Sequence, residues 1–176
     1  MNKISEISDQ PLKWEQPSAL KMNYELRAND EVTGTLRFRS SFGSFATAKS
    51  PEGCWTFKRV GFWQTRVTIR RCDSDADIAT FQNNTWSGGG TLQFPDGRIF
   101  RATTNFWQTR LEFQTESGST LLQFQSAGIL HLSATVQIPN GSAALPELPL
   151  LVMLGWYLIV MMNMDSSSMG PATSAG

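Results

Sequence analysis

No lysine or arginine occurs after Arg110; beyond it the only charged residues are Glu112, Glu116, Glu147 and Asp165. An apolar segment in that stretch therefore has no positive flank, and the positive-inside rule assigns it no membrane topology. Histidine is nearly absent, with His131 alone, and the two cysteines, Cys54 and Cys72, match no metal-ligand spacing. Net charge is absent too, since fifteen basic residues cancel fifteen acidic ones. That balance lacks the basic footprint of a nucleic-acid-binding domain. Residues 1–13 are polar and mixed in charge, with no apolar core of a secretory signal. The expectation is a cytoplasmic protein with two reduced, half-buried thiols. At 176 residues, 40% hydrophobic and 17% charged, the chain suits one domain with a substantial core.

What is present is a repeat. The pentapeptide Phe-Trp-Gln-Thr-Arg occurs at 62–66 and again at 106–110. A fixed internal period is the mark of a copied supersecondary unit. Pro51-Glu52-Gly53 stands at the same offset before the first copy as Pro95-Asp96-Gly97 before the second. Each reads as a turn between strands, with Pro pre-setting φ and Gly admitting a positive one. Downstream, Ile78 to Gln82 matches Leu121 to Gln125 one residue out of register. A more decayed third copy starts near Lys21, with Tyr24-Glu25-Leu26-Arg27, a polar turn at 29–31, and Gly34-Thr35-Leu36-Arg37-Phe38.

Within each copy the apolar period is two. Trp63, Thr65, Val67 and Ile69 alternate with Gln64, Arg66, Thr68 and Arg70; Trp107, Thr109, Leu111 and Phe113 alternate with Gln108, Arg110, Glu112 and Gln114. Such alternation predicts half-buried antiparallel strands. Turn signals recur about every ten residues, which gives about eleven strands across 22–138 and implies a closed barrel or a sandwich. A propeller needs at least about four blades, and the chain has room for about three.

After residue 142 the pattern changes. Residues 150–162 form an uninterrupted apolar run, ended by Asn163 and Asp165, and 166–176 reads as a low-complexity, disordered tail. The run is nearer the length of a buried helix than the roughly twenty residues of a membrane span. A barrel of about twelve strands is too wide for its own side chains to fill and could enclose such a helix. The competing reading is a membrane protein tail-anchored by 148–164.

The strand meander with Gly-containing turns, the segment 129–138 and the terminal apolar run together resemble the tubby-like barrel superfamily: tubby C-terminal domains, phospholipid scramblases and plant LURP-one-related proteins. The resemblance runs over 21–165, in pattern and order. It implies a mainly β fold, a closed antiparallel barrel of about twelve strands around a hydrophobic C-terminal helix. It also implies a module that meets phospholipid without a cofactor. The Lys/Arg cluster of the tubby phosphoinositide site has no residue-by-residue counterpart here. The acidic calcium segment of the scramblases is absent as well: 145–165 holds only Glu147 and Asp165.

Residue by residue, the chemistry is sparse. Asp73, Asp75 and Asp77 open like an EF-hand loop, but Ile78 and Asn84 stand where it needs Gly and Glu. They read as a solvated turn. Ser87-Gly88-Gly89-Gly90 precedes no Lys-Ser or Lys-Thr and reads as a strand connection. His131 has no Ser or Cys partner in sequence. The six Trp read as barrel packing. The basic residues stand out: Lys58, Arg59, Arg66, Arg70, Arg71, Arg98, Arg101 and Arg110 fall on strands of neighbouring repeats, with Arg66, Arg70 and Arg110 on the outer face and Lys58 and Arg101 the further headgroup candidates. Arg suits bidentate contact with phosphate, and paired strands would turn these side chains into a basic stripe for anionic lipid headgroups.

The expected organisation is an N-terminal arm, 1–17; a barrel, 18–165, with a central helix, 148–164; and a tail, 166–176. The expected function is a non-enzymatic binding module for anionic phospholipid or a membrane surface, with no metal, cofactor or nucleic acid. The alternatives are the tail-anchored membrane protein and an enzyme using His131 or Asp75 at the barrel mouth.

Overall fold

The computed structural model describes residues 1–62, 64–84, 88–128 and 131–168. The alternating segments form twelve strands: β1 (Leu12–Glu15), β2 (Asn23–Ala28), β3 (Glu31–Phe38), β4 (Ala46–Ser50), β5 (Gly53–Val60), β6 (Arg66–Arg71), β7 (Asp77–Asn83), β8 (Gly90–Gln93), β9 (Ile99–Thr104), β10 (Arg110–Thr115), β11 (Thr120–Ala127) and β12 (Ser133–Gln137). Each pairs antiparallel with its sequence neighbours. β1 also pairs with β12, through Leu12 with Val136, Lys13 with Thr135 and Trp14 with Ala134, so the sheet closes in chain order. Closure leaves no edge strand exposed.

The eleven strands expected across 22–138 are β2 to β12. The twelfth corrects the expected arm, because β1 lies inside 1–17 and closes the barrel. Trp14 on β1 is fully buried and stacks on Trp156, ring centroids 5.5 Å apart and planes 4° from parallel. Before it, a 3₁₀ turn at Ile4–Glu6 carries Ile4 and Ile7 into the core.

The barrel encloses one helix, α1 (Leu148–Ser168). It is apolar on every side, so every side must be covered, and residues 148–161 are all buried. A helix about 10 Å across fills the bore that twelve strands leave open. Small residues let helix and wall approach: Gly34 of β3 lies over Met153, and Gly155 of α1 faces the rings of Phe113 and Phe124. The segment has the length and hydropathy of a bilayer span, yet 78% of that span is buried in the protein. Strands, not lipid, surround it here. The helix also outruns its expected end at 164, so 166–168, expected in the tail, are helical. Residues 169–176 lie outside the described residues.

Alternating hairpins define two ends. The mouth carries the connections after β1, β3, β5, β7, β9 and β11; the floor carries the turns after β2, β4, β6, β8 and β10. The helix starts at the floor, where Glu147 pairs with Arg98 of the β8–β9 turn. It ends at the mouth, where Arg59 at the end of β5 donates to both carboxylate oxygens of Asp165 at 2.7 and 3.0 Å. From the middle of the helix, the Tyr157 hydroxyl donates to the carbonyl of Ser44 in the β3–β4 mouth connection at 2.7 Å.

Two sequence readings change. Where it is described, the pentapeptide is not strand: Phe62, Gln64 and Thr65, and 106–109, belong to mouth connections, and only Arg66 and Arg110 begin strands. The expected alternation holds from Val67 and Leu111 onward, both buried, whereas Trp107 is exposed. Trp63 lies outside the described residues. The cysteines also differ from expectation. Register pairs Trp55 with Arg71, which sets Cys54 and Cys72 opposite each other with Cα atoms 5.4 Å apart, and the two form a disulfide. Compartment had argued for free thiols; cross-strand register places them within bonding distance.

Candidate functional site

Overall neutrality hides a division. Between residues 32 and 72 stand eight Lys or Arg and a single acid, Glu52; the rest of the chain has seven basic residues and fourteen acidic ones. That segment folds as β3 to β6, one contiguous third of the barrel wall. On β3 and β4, inward positions are taken by Leu36, Phe38, Ala46 and Ala48, all buried, so the alternate positions Arg37, Thr47 and Lys49 face outward. Register pairs Arg37 with Thr47 and Thr35 with Lys49. These residues line a shallow outer groove with Arg39 and Phe45. The Arg39 guanidinium lies 4.4 Å from the centroid of the Phe45 ring, which holds its fork in place. Lys58 on β5 and Arg66 at the start of β6 extend the positive field sideways.

Five expected residues now have places. Lys58, Arg66 and Arg70 lie on this wall. Arg70 Nε donates to Asp77 Oδ1 at 2.6 Å, so its charge is partly answered. Arg101 and Arg110 stand on β9 and β10, with β7 and β8 between them and β6. The single stripe expected from neighbouring repeats is therefore not formed: the repeats are four strands apart in a barrel that keeps chain order. Among the described residues, Arg37, Arg39, Lys49, Lys58, Arg66, Arg101 and Arg110 make no ion pair. Sequence reasoning passed over Arg37, Arg39 and Lys49. The legible signal was the near-absence of acids over 32–72, which a whole-chain charge count averages away.

The other candidates fall elsewhere. Asp73 and Asp75 lie in the exposed β6–β7 turn, where the Ala76 amide donates to Ser74 Oγ at 3.1 Å. Gly88 and Gly89 take φ of 70° and 71° in the β7–β8 connection, a conformation glycine reaches without strain. His131 is exposed on a polar outer groove with Lys13, Glu15 and Arg27. Among the described residues, no three His, Cys, Asp or Glu side chains are grouped to hold a metal ion.

Buried Tyr24 and Tyr157 are the strongly perturbed groups: burial pushes the Tyr24 phenol up to about 12 and the Tyr157 phenol higher still. Both pack on the central helix or form part of it, Tyr24 edge-on to Trp156 and Tyr157 stacked on Phe38. The shifts belong to packing, since burial is the largest cause for both and the Tyr157 hydroxyl is spent on the Ser44 carbonyl.

No family model matches the chain, and no curated protein matches it. An X-ray structure of a protein from Arabidopsis thaliana is similar to it with a TM-score of 0.56 at 10% sequence identity, covering 89% of this chain and 92% of that one. At that identity the likeness speaks for the fold alone.

Proposed function

We propose that the chain is a non-enzymatic binding module of tubby-like architecture that recognises anionic phospholipid through the β3–β6 wall. The observation that carries this reading is the clustering of Arg37, Arg39, Lys49, Lys58 and Arg66 on strands free of carboxylates from Val32 to Ser50 and from Gly53 to Arg71. Arg is the side chain suited to bidentate phosphate contact, and the hydroxyls of Thr35 and Thr47 line the same groove. Near an anionic bilayer each Lys or Arg contributes about 1 kcal/mol, screened within a Debye length.

Co-sedimentation with phosphatidylserine-containing vesicles tests the reading. Binding should exceed that to phosphatidylcholine vesicles and fall as salt rises. Arg37→Glu with Arg39→Glu and Lys49→Glu should weaken it by about a hundredfold or more, three lost contributions of about 1 kcal/mol each. A soluble inositol phosphate added as competitor separates headgroup recognition from general attraction. Equal binding to neutral vesicles, or no effect of the triple reversal, overturns the reading.

A further inference from the structure

We propose that the mouth of the barrel is a bilayer-insertion surface, whose apolar loop tips enter the lipid interface while the acidic floor points away. This rests on the phospholipid reading above and says how the module meets the membrane.

Six large hydrophobic residues are strongly exposed among the described residues, and five of them stand on mouth connections: Leu20 at 94%, Phe42 at 99%, Phe62 at 86%, Phe106 at 89% and Trp107 at 78%. Single exposed hydrophobics are ordinary on a protein surface; five gathered at one end of a barrel are not a random scatter. Their spacing follows the repeat. Phe62 and Phe106 are the same residue of the two pentapeptides, on connections four strands apart, and Leu20 stands on the connection four strands earlier. Three apolar tips thus divide the twelve-stranded rim into thirds, and Phe42 rises between two of them, at the top of the basic wall.

The best-defined tip is built to present its rings. Asn105 Oδ1 accepts from the backbone amides of Thr109 and Arg110 at 2.8 and 2.9 Å, Asn105 Nδ2 donates to Thr109 Oγ1 at 2.8 Å, and Gln108 takes a φ of 55°. The turn holds Phe106 and Trp107 edge to face, centroids 5.1 Å apart, in solvent.

Charge agrees with this orientation. Each tip has a cation at its base, Lys21 after Leu20, Arg39 before Phe42, Arg66 after Phe62 and Arg110 after Phe106 and Trp107. The acids at the rim are held by cations, Asp165 by Arg59 and Glu15 at the end of β1 by Lys13. Every floor turn carries an acid: Asp30, Glu52, Asp73 and Asp75, Asp96, and Glu116. A protein partner would favour one contiguous apolar patch. Separate aromatic tips backed by cations suit a fluid interface, where Trp and basic side chains settle at headgroup level.

The experiment uses full-length protein and vesicles of phosphatidylcholine with phosphatidylserine, part of the lipid carrying brominated acyl chains. Bromine should quench tryptophan emission on binding, and Trp107→Phe should remove part of that quenching. Phe42→Ser with Phe62→Ser, Phe106→Ser and Trp107→Ser should weaken binding at least about tenfold, and moderate salt should then release what remains. Circular dichroism checks that this variant folds. Wild-type binding that the tip variant retains in full, without quenching by bromine, overturns insertion and leaves the phospholipid reading standing. Absence of binding by the wild type to these vesicles overturns that reading, and insertion falls with it.

Discussion

At the floor of the barrel, hairpin turns carry carboxylates, a disulfide ties the ends of β5 and β6, and Ile4 and Ile7 plug the opening beneath the helix. At the mouth, the connections carry exposed Leu, Phe and Trp, and the helix end is tied to the wall by Arg59 and Asp165. The two ends belong to the same twelve strands and the same helix, so the fold alone does not require them to differ. Their difference separates what the barrel needs for stability from what it leaves available at the surface. Apolar residues at the floor, Met1 apart, are covered, and covering them stabilises the protein. Apolar residues at the mouth stay in water, at a cost the folded chain recovers only when something covers them.

The largest way to break this contrast is to open the floor. Ile4 is fully buried, and Ile4→Ala removes its packing and leaves a void beneath the helix, which should cost about 3–5 kcal/mol. Urea denaturation measures it. Binding of the still-folded variant to anionic vesicles should match wild type, since no mouth or wall residue changes. A loss of unfolding free energy smaller than about 1 kcal/mol would mean that the 3₁₀ turn does not plug the barrel.

Much of this architecture was legible beforehand, and each miss has its own physical reason. Period-two alternation at Val67, Ile69, Leu111 and Phe113 identified strand faces because burial on one side imposes it. The uniformly apolar run at 150–162 pointed to an enclosed helix for the same reason. The pentapeptide misled because a repeated sequence was read as a repeated strand. Phe62, Phe106 and Trp107 lie in connections, where no inward face exists to fill. Trp14 was assigned to an arm because β1 has only four residues, too few for a period to show. The disulfide and the basic wall are set by strand register and order, which bring Cys54 to Cys72 and part Arg110 from Arg66. A local reading of the chain carries neither.

The second prediction tests the floor from the covalent side. Cys54 and Cys72 are eighteen positions apart, and a cross-link closing a loop of that size stabilises by about 3 kcal/mol, chiefly by restricting the unfolded chain. Guanidinium denaturation with and without reductant should show that difference, and Cys54→Ser with Cys72→Ser should behave as the reduced protein does. Equal midpoints in the two conditions would mean the pair contributes nothing to the floor. The mouth should be indifferent, because the cross-link joins the far ends of β5 and β6 from Phe62.

The smallest effect on folding is expected where the effect on binding is largest for a single side chain. Phe42 is 99% exposed on the β3–β4 connection, so Phe42→Ser removes almost no contact and should change stability by no more than about 0.5 kcal/mol. Phe42 nevertheless stands on the connection between β3 and β4, the strands that carry Arg37 and Lys49, so a bilayer meeting the mouth and the wall would meet the ring as well. Vesicle affinity should therefore drop severalfold while the denaturation curve stays in place, the reverse of the result for Ile4→Ala. Loss of stability with unchanged binding would show that Phe42 packs in solution and that the mouth is closed in the way the floor is. That outcome would remove the asymmetry on which the orientation at a membrane depends.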